Sequence, residues 1–154
     1  MKARKGFTLV EILIVVVILG ILAAIVIPQF SDASTQSKLS SCRTTLQSLR
    51  SQIELYKIQH NDTPPALATF GNEMTLYSDA SGGTAAAKDA THIYGPYMQR
   101  VPTNPWNDSE TLAAADAAGV GWVYDEATGD IYIGIADVTN ADVTAELQDS
   151  GDAL

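Results

Sequence analysis

An uncharged apolar run of sixteen residues, Ile12 to Ile27, lies near the start of the chain and constrains its fold most. At 1.5 Å per residue a helix over this run is about 24 Å long, and extension back to Phe7 makes it about 31 Å, close to the ~30 Å hydrocarbon core of a bilayer. Basic residues at positions 2, 4 and 5 precede the run, and one carboxylate, Glu11, lies near its start. The chain must therefore place a membrane-length apolar helix beside an acidic residue.

Two ordinary interpretations leave Glu11 without a role. A secretory signal peptide has a basic start and an apolar middle, and Ser31 and Ala33 have the small-x-small spacing of a cleavage site. The run is long for such a signal, however, and Glu11 lies inside it. A plain membrane anchor tolerates an acid near its end, where the cost falls below the ~2.5–3.5 kcal/mol of the bilayer centre.

A third interpretation makes Glu11 necessary. Cleavage between Gly6 and Phe7 would create an α-amino group at the tip of the apolar helix. A buried charge needs a partner, and Glu11 supplies one, either in its own helix or to a neighbouring copy. Removal of one member of such a pair costs about 3–5 kcal/mol, so the pair would set the register between packed helices.

A second periodic pattern follows the apolar run. Six residues are spaced alternately by three and four, which predicts the core-facing stripe of an amphipathic helix: Leu39, Cys42, Leu46, Leu49, Ile53 and Tyr56. We predict one helix from Phe7 to Gln59, weakened near Pro28 and ended before Pro64. Beside the stripe, Arg43, Arg50 and Lys57 form a basic ridge. The ridge is either solvated or in contact with the acidic half of a neighbouring copy.

The remainder predicts a small β-containing head. Trp122–Tyr124 and Ile131–Ile135 are rich in β-branched and aromatic residues, and Gly129 in the turn between them permits a positive φ, which predicts an antiparallel hairpin. This hairpin belongs to a sheet of three or four strands packed on the stripe. Short helices are predicted from Pro65 and over Ala141–Gln148, a mobile loop over residues 78–90, and a short helix or ordered loop over residues 109–119.

Charge and composition exclude several functions. The net charge is −9, every Lys and Arg lies at or before Arg100, and eleven acidic residues follow it. This distribution disfavours nucleic acid as a partner, since phosphate binding needs a basic patch. Cys42 is the single cysteine, which excludes an internal disulfide. Neither histidine lies in a catalytic motif, and we predict that the chain is not an enzyme.

The segment "KGFTLVEILIVVVILGILAAIVIPQF" resembles the prepilin-type N-terminus of type IV pilins and type II secretion pseudopilins. The resemblance rests on a short basic leader that ends in Gly6, on the following Phe7 and Glu11, and on the apolar run ending at Pro28. It implies cleavage after Gly6 by a membrane prepilin peptidase, N-methylation of Phe7, and a role for Glu11 in filament assembly. Gly20 and Pro28 stand where the family often has helix-weakening residues.

Further segments resemble the heads of pseudopilins and short pilins, namely "LYKIQHNDTPP", "VPTNPWN" and "GWVYDEATGDIYI". The C-terminal cysteine pair of many type IV pilus subunits is absent, which favours the pseudopilin branch. The predicted fold is therefore α+β, a long N-terminal helix packed on a small antiparallel sheet. The predicted organisation is a leader at residues 1–6, a membrane and filament-core helix at residues 7–30, and a head at residues 31–154.

The resemblance implies a structural subunit that polymerises into a helical filament of many copies. A type II secretion-like major pseudopilin that supports protein export is the first interpretation. The alternatives are a type IV pilus subunit for adhesion, motility or DNA uptake, and, in another class, a secreted binding protein with a conventional signal. The implied partners are the prepilin peptidase, an inner-membrane assembly platform and other pilins. The implied location is the bacterial inner membrane and then a periplasmic or cell-surface filament.

Calcium is the one cofactor left open. Major pseudopilins bind calcium in a C-terminal loop, but this C-terminus departs from the pattern of that loop. We predict no cofactor, with turn-forming acidic residues in water as the preferred interpretation and a calcium site as the alternative. The acidic residues concerned are Asp125, Glu126, Asp130, Asp137, Asp142 and Asp149.

Overall fold

The computed structural model describes residues 7–154, so the predicted leader at residues 1–6 lies outside the described residues. The chain forms two units that divide after Ser37. Helix α1, Leu9–Gln59, contributes to both units and continues through Pro28. It begins two residues later than predicted and ends at the predicted residue. The predicted boundary of the head at residue 30 stays a prediction.

The core of the head is built on the predicted stripe of α1. All six stripe residues are buried, whereas their neighbours on the other side of the helix are exposed. They pack in one apolar cluster with residues of the hairpin and the C-terminal segment, including Trp122, Tyr124, Ile131, Ile133 and Leu147. Because apolar side chains recur every three or four residues, a single face of α1 supplies about a third of the buried residues in this cluster.

The end of α1 follows from its sequence. Asn61 and Asp62 adopt positive φ angles of 54° and 61°, a region that Asn and Asp enter more readily than other residues. The backbone N–H of Asp62 donates to the carbonyl oxygen of Lys57 at 2.9 Å, so the turn closes the last exposed carbonyls of the helix. Pro64 then prevents further helix.

The head contains two small sheets within the described residues. In the first, β1 (Tyr77–Ser78) pairs antiparallel with β2 (Thr84–Ala85). In the second, β3 (Leu112–Ala113) pairs parallel with β4 (Trp122–Asp125), and β4 pairs antiparallel with β5 (Asp130–Ile133). The α+β class and the β4–β5 hairpin are therefore confirmed.

Two glycines are required where they stand. Gly129 has φ +83° in the hairpin turn, and its backbone N–H donates to the carbonyl oxygen of Asp125 at 2.8 Å. Gly121 lies so close to the chain at Ser109 that an added Cβ would be 2.1 Å from the carbonyl oxygen of that residue. Any side chain at position 121 would separate the loop before β3 from the start of β4.

Two short elements differ from the prediction, and a third adopts the second of its two predicted forms. The helix expected from Pro65 is α2, Phe70–Thr75, and begins five residues later. The segment of residues 78–90, expected to be a loop, contains β2 and the end of β1. Residues 109–119 form the predicted loop, which contains β3, and backbone pairing with β4 outweighs the helical preference of this alanine-rich segment.

The last helix, α3 (Ala141–Asp149), agrees with the predicted C-terminal helix. The side chain of Asn140 caps it by accepting from the backbone N–H groups of Asp142 and Val143. Val143 and Leu147 are its buried residues. They attach α3 to the core, so the C-terminal segment belongs to the folded head.

Candidate processing and assembly segment

The predicted processing site lies at the edge of the described chain. Gly6 is outside the described residues, and Phe7 precedes α1 with 83% of its surface exposed. No secondary structure is assigned to Phe7 or Thr8. The cleavage between Gly6 and Phe7 and the methylation of Phe7 stay predictions.

Glu11 and Thr8 bond to each other at the start of α1. The Glu11 Oε2 atom accepts from the Thr8 backbone N–H at 2.8 Å and from the Thr8 hydroxyl at 2.7 Å. The Glu11 backbone N–H lies 3.3 Å from Thr8 Oγ1. These contacts form a capping box, in which a Thr and a Glu three residues later satisfy the free N–H groups of a helix start.

The capping box was not part of the sequence interpretation, although Thr-x-x-Glu before an apolar run is its known signal. It gives Glu11 a partner in its own chain while Gly6 is still joined to Phe7. Pairing of Glu11 with a free Phe7 amine, in the same chain or in a neighbour, stays a prediction. The two roles can follow each other, because cleavage changes the charge beside Glu11.

The apolar part of α1 is exposed on all sides. Every large apolar side chain from Phe7 to Phe30 is exposed, and the helix is long and apolar enough to cross a membrane by length and composition. A helix that is apolar all round needs lipid or other apolar helices around it. This segment therefore has the surface that both a bilayer and a bundle of identical helices would cover.

Gly20 and Pro28 both lie inside α1. A Cβ added at Gly20 would meet no atom within 4 Å, so no contact within the chain requires glycine there. Pro28 has no backbone N–H and removes one hydrogen bond from the helix. Both residues weaken the helix intrinsically, and their predicted part in assembly stays a prediction.

The basic ridge contacts the chain's own acidic and carbonyl groups. Arg43 forms ion pairs of 3.0 Å with Glu146 and Asp152, and Arg50 lies 3.5 Å from Asp152. Lys57 pairs with Glu54 and reaches a carbonyl oxygen in the hairpin turn. Neither sequence interpretation, the solvated ridge or the contact with a neighbouring copy, included these contacts within the head.

Cys42 and the two histidines all make contacts within the described part of the chain. Cys42 is fully buried, and its thiol donates to the Asn104 side chain at 3.4 Å. Burial raises the pKa of this thiol to about 12. His60 is buried with Nδ1 2.8 Å from the Tyr56 carbonyl oxygen, and His92 pairs with Asp89 at 2.9 Å. These groups therefore serve in packing and local hydrogen bonding.

Asp137 accepts hydrogen bonds from two loops of the head. Its Oδ2 atom accepts from the Asn107 side-chain amide at 2.9 Å and from the Gly119 backbone N–H at 2.8 Å. These two hydrogen bonds hold the pKa of Asp137 below its usual value. The positive ends of two N–H dipoles thus point at the oxygen that a metal ion would need.

Two of the other acidic residues considered for calcium, Asp125 and Glu126, are engaged in the same way. Asp125 Oδ1 accepts from the backbone N–H of Ala127 at 2.9 Å, and Glu126 Oε2 accepts from that of Leu67 at 3.0 Å. Within residues 7–154, no three His, Cys, Asp or Glu side chains cluster closely enough to hold a metal ion. Calcium needs six to eight converging oxygen ligands. The residues present do not fit this requirement.

The chain is similar to known proteins at its N-terminus and over most of its length. A family model for the prokaryotic N-terminal methylation motif matches residues 1–27. The type II secretion system core protein G of Aeromonas hydrophila is 29% identical over 70% of this chain and 71% of its own. The protein of the same name from Klebsiella pneumoniae is 28% identical over 77% and 81%. The resemblance to type IV pilins and type II secretion pseudopilins is confirmed. 

A pilus protein is also among the relatives of this pilin-like chain. The fimbrial protein of Neisseria meningitidis is 28% identical over 73% of this chain and 58% of its own. No solved structure matches the chain at significant similarity. The similarity to core proteins G covers 70% or more of the chain, so it includes part of the head.

Proposed function

We propose that this chain is a structural subunit that polymerises into a type IV filament, as a type II secretion-like major pseudopilin that supports protein export. One observation carries the proposal. A prepilin-type N-terminus precedes a helix whose apolar surface is exposed on every side. A lone soluble head would not need that surface, whereas a bundle of such helices would bury it.

The steps follow from charge and hydrophobicity. The basic residues before the apolar run favour insertion with the leader on the cytoplasmic side. Prepilin peptidase would remove the leader and expose the Phe7 amine, which Glu11 would then neutralise. The apolar helix leaves the lipid when similar helices surround it, since burial against them replaces burial in the bilayer. The head remains in the aqueous space outside the membrane.

Core proteins G from several bacteria favour the secretion role, since they match 70% or more of this chain. The fimbrial relative favours a second function, that of a subunit of a surface pilus for adhesion, motility or DNA uptake. The two functions differ in phenotype. Deletion of the gene in its host should reduce protein secretion in the first case, and should remove surface filaments but spare secretion in the second.

The mature N-terminus tests the class of protein. Co-expression with a prepilin peptidase should yield a chain that begins with N-methylated Phe7, detected by mass spectrometry of the N-terminal peptide. A chain with Gly6 replaced by a bulkier residue should keep its leader, which is the matched control. A mature chain that begins near Ser34 would instead identify a secreted protein with a conventional signal. Electron microscopy of purified fibres then tests polymerisation.

A further inference from the structure

Asp152, the third-to-last residue of the sequence, lies between two arginines of α1. The Arg43 Nε atom donates to Asp152 Oδ2 at 3.0 Å, and Arg50 Nη1 lies 3.5 Å from Asp152 Oδ1. Each carboxylate oxygen thus faces a separate guanidinium group. Asp152 is the most buried member, with 17% of its side chain exposed, while the arginines are about one third exposed. We name these three residues the Asp152 clasp.

Arg50 also binds β5 and the C-terminal segment, which meet at the clasp. Its Nε atom donates to the carbonyl oxygen of Ile131 in β5 at 3.2 Å, and Nη2 donates to that of Gly151 at 3.3 Å. Its guanidinium lies 5.8 Å from the ring centre of Tyr132. One cation therefore connects α1, β5 and the C-terminal segment, which is the kind of multidentate contact that arginine makes and lysine does not.

The backbone beside Asp152 is attached on both sides. The Ile133 backbone N–H donates to the Asp152 carbonyl oxygen at 2.7 Å, and the Asp152 backbone N–H donates to the carbonyl oxygen of Leu147 at 2.9 Å. Ala153 is buried in the core cluster. The C-terminal segment is thus hydrogen-bonded to both β5 and α3, and the Asp152 clasp attaches it to α1.

A divalent cation bound in a C-terminal loop neutralises carboxylates and connects segments that are distant in the sequence. The contacts of Asp152 have the same two effects. The carboxylates of Asp125, Glu126 and Asp137 accept N–H donors instead. Asp152 lies between two positively charged guanidinium groups. We propose that the Asp152 clasp, together with the N–H donors around Asp137, replaces calcium in this head, so that the head folds and remains stable without a metal ion.

Thermal unfolding of the full chain in detergent tests the proposal. Fluorescence of Trp106 and Trp122 reports on the head alone. We expect the same melting temperature for the wild-type chain in EGTA and in millimolar CaCl2. Asp152→Asn should lower it by roughly 5 °C, because Arg50 loses its anionic partner and Arg43 keeps only Glu146, and CaCl2 should not restore it. Asp149→Asn, an exposed acid on α3, is the matched control and should leave it unchanged.

Calcium titration by calorimetry provides a second readout that does not depend on folding of a variant. We expect no saturable heat from the wild-type chain. Saturable binding of Ca²⁺, or a melting temperature that falls in EGTA and recovers with CaCl2, would overturn the proposal. Equal melting temperatures for Asp152→Asn and Asp149→Asn would overturn it as well. The proposed filament function would survive each of these results, since it rests on the N-terminal segment.

Discussion

The thiol of Cys42 is the clearest case of a reactive group that the fold makes inert. It is fully buried on the stripe, and burial raises its pKa to about 12. At pH 8 about one thiol in ten thousand would be ionised, and only the thiolate reacts with alkylating agents. We expect no labelling by iodoacetamide in the folded chain and complete labelling in denaturant, measured by intact mass. An added cysteine at exposed position 41 should react in both, and labelling of Cys42 at a similar rate would contradict its burial.

Asn104 is the residue of the head that sequence reasoning missed. It is fully buried, and its side-chain amide donates to the carbonyl oxygens of Gly121 and Gly134, both at 2.9 Å. Its Oδ1 atom accepts from the Trp106 backbone N–H at 3.0 Å. It therefore satisfies the backbone hydrogen-bonding groups of residues 106, 121 and 134. No local pattern indicates this role, because Gly121 and Gly134 lie 17 and 30 positions away in the sequence.

Replacement of Asn104 by Asp tests this role at constant volume. The amide donor becomes a carboxylate oxygen that faces two carbonyl oxygens, and a buried charge is left without a partner. We expect the free energy of unfolding to fall by about 3 kcal/mol or more, measured by urea denaturation followed by tryptophan fluorescence. Asn72→Asp, at an exposed position of α2, should change it by less than about 0.5 kcal/mol. Similar losses for the two variants would contradict the proposed network.

At the scale of elements, the stripe of α1 supports the largest energetic prediction. Leu46 is fully buried, whereas Leu55 on the same helix is 41% exposed. Leu46→Ala removes buried methyl groups and leaves a cavity, so the expected cost is about 2–5 kcal/mol of unfolding free energy. Leu55→Ala should cost less than about 1 kcal/mol, because alanine has the higher helix propensity and little surface is lost. Equal costs in urea denaturation would mean that the stripe does not form the core.

The elements differ in how far the sequence predicts them. The stripe, the end of α1, the hairpin and α3 were predicted, since each has a local signal in its apolar spacing, turn residues or cap. The parallel pairing of β3 with β4 was not, because two-residue strands owe their conformation to the partner strand. The partners of Arg43 and Arg50 were not predicted either, because they come from a C-terminal segment about one hundred residues away.

The contacts of Asp137 predict a pH dependence for the loops that it joins. Its pKa is lowered in the folded head, so the folded state binds a proton more weakly than the unfolded chain does. Its stabilising contribution is therefore complete well above the ordinary aspartate pKa of 3.8 and is lost as the pH falls through the lower pKa of the folded state. Asp137→Asn should flatten the fall of melting temperature with acidity below about pH 5. An unchanged slope would mean that Asp137 does not contribute.

At the scale of the whole molecule, function was predicted best from the N-terminal segment. It is far more apolar than a folded head. The order of a basic leader, an acidic residue and an apolar run is also a specific sequence pattern. The contact of Glu11 with Thr8 was not predicted, although Thr-x-x-Glu before an apolar run is the sequence signal of a capping box. The choice between secretion and pilus roles does not follow from either unit, because both kinds of filament use the same physical principles of assembly.

Glu11 therefore has two candidate roles, as a helix cap and as a charge partner, and two substitutions separate them. Glu11→Gln keeps an oxygen that can accept from Thr8, since glutamine also serves in capping boxes, but it removes the charge. Thr8→Ala keeps the charge and removes the cap, at about 1 kcal/mol. A buried amine without a partner costs about 3–5 kcal/mol, so the charge should dominate in a filament.

We expect Glu11→Gln to be inserted and cleaved normally but to form few or no filaments, and Thr8→Ala to form filaments in reduced but substantial yield. Both variants are compared with the wild-type chain by sheared-fibre yield and electron microscopy, after cleavage has been verified by mass spectrometry. The reverse result, with filaments from Glu11→Gln and none from Thr8→Ala, would show that Glu11 acts as the cap of its own helix. In that case contacts between the heads would have to set the register between subunits. Uniform apolar contacts of α1 allow the helices to pack at several axial positions along the fibre.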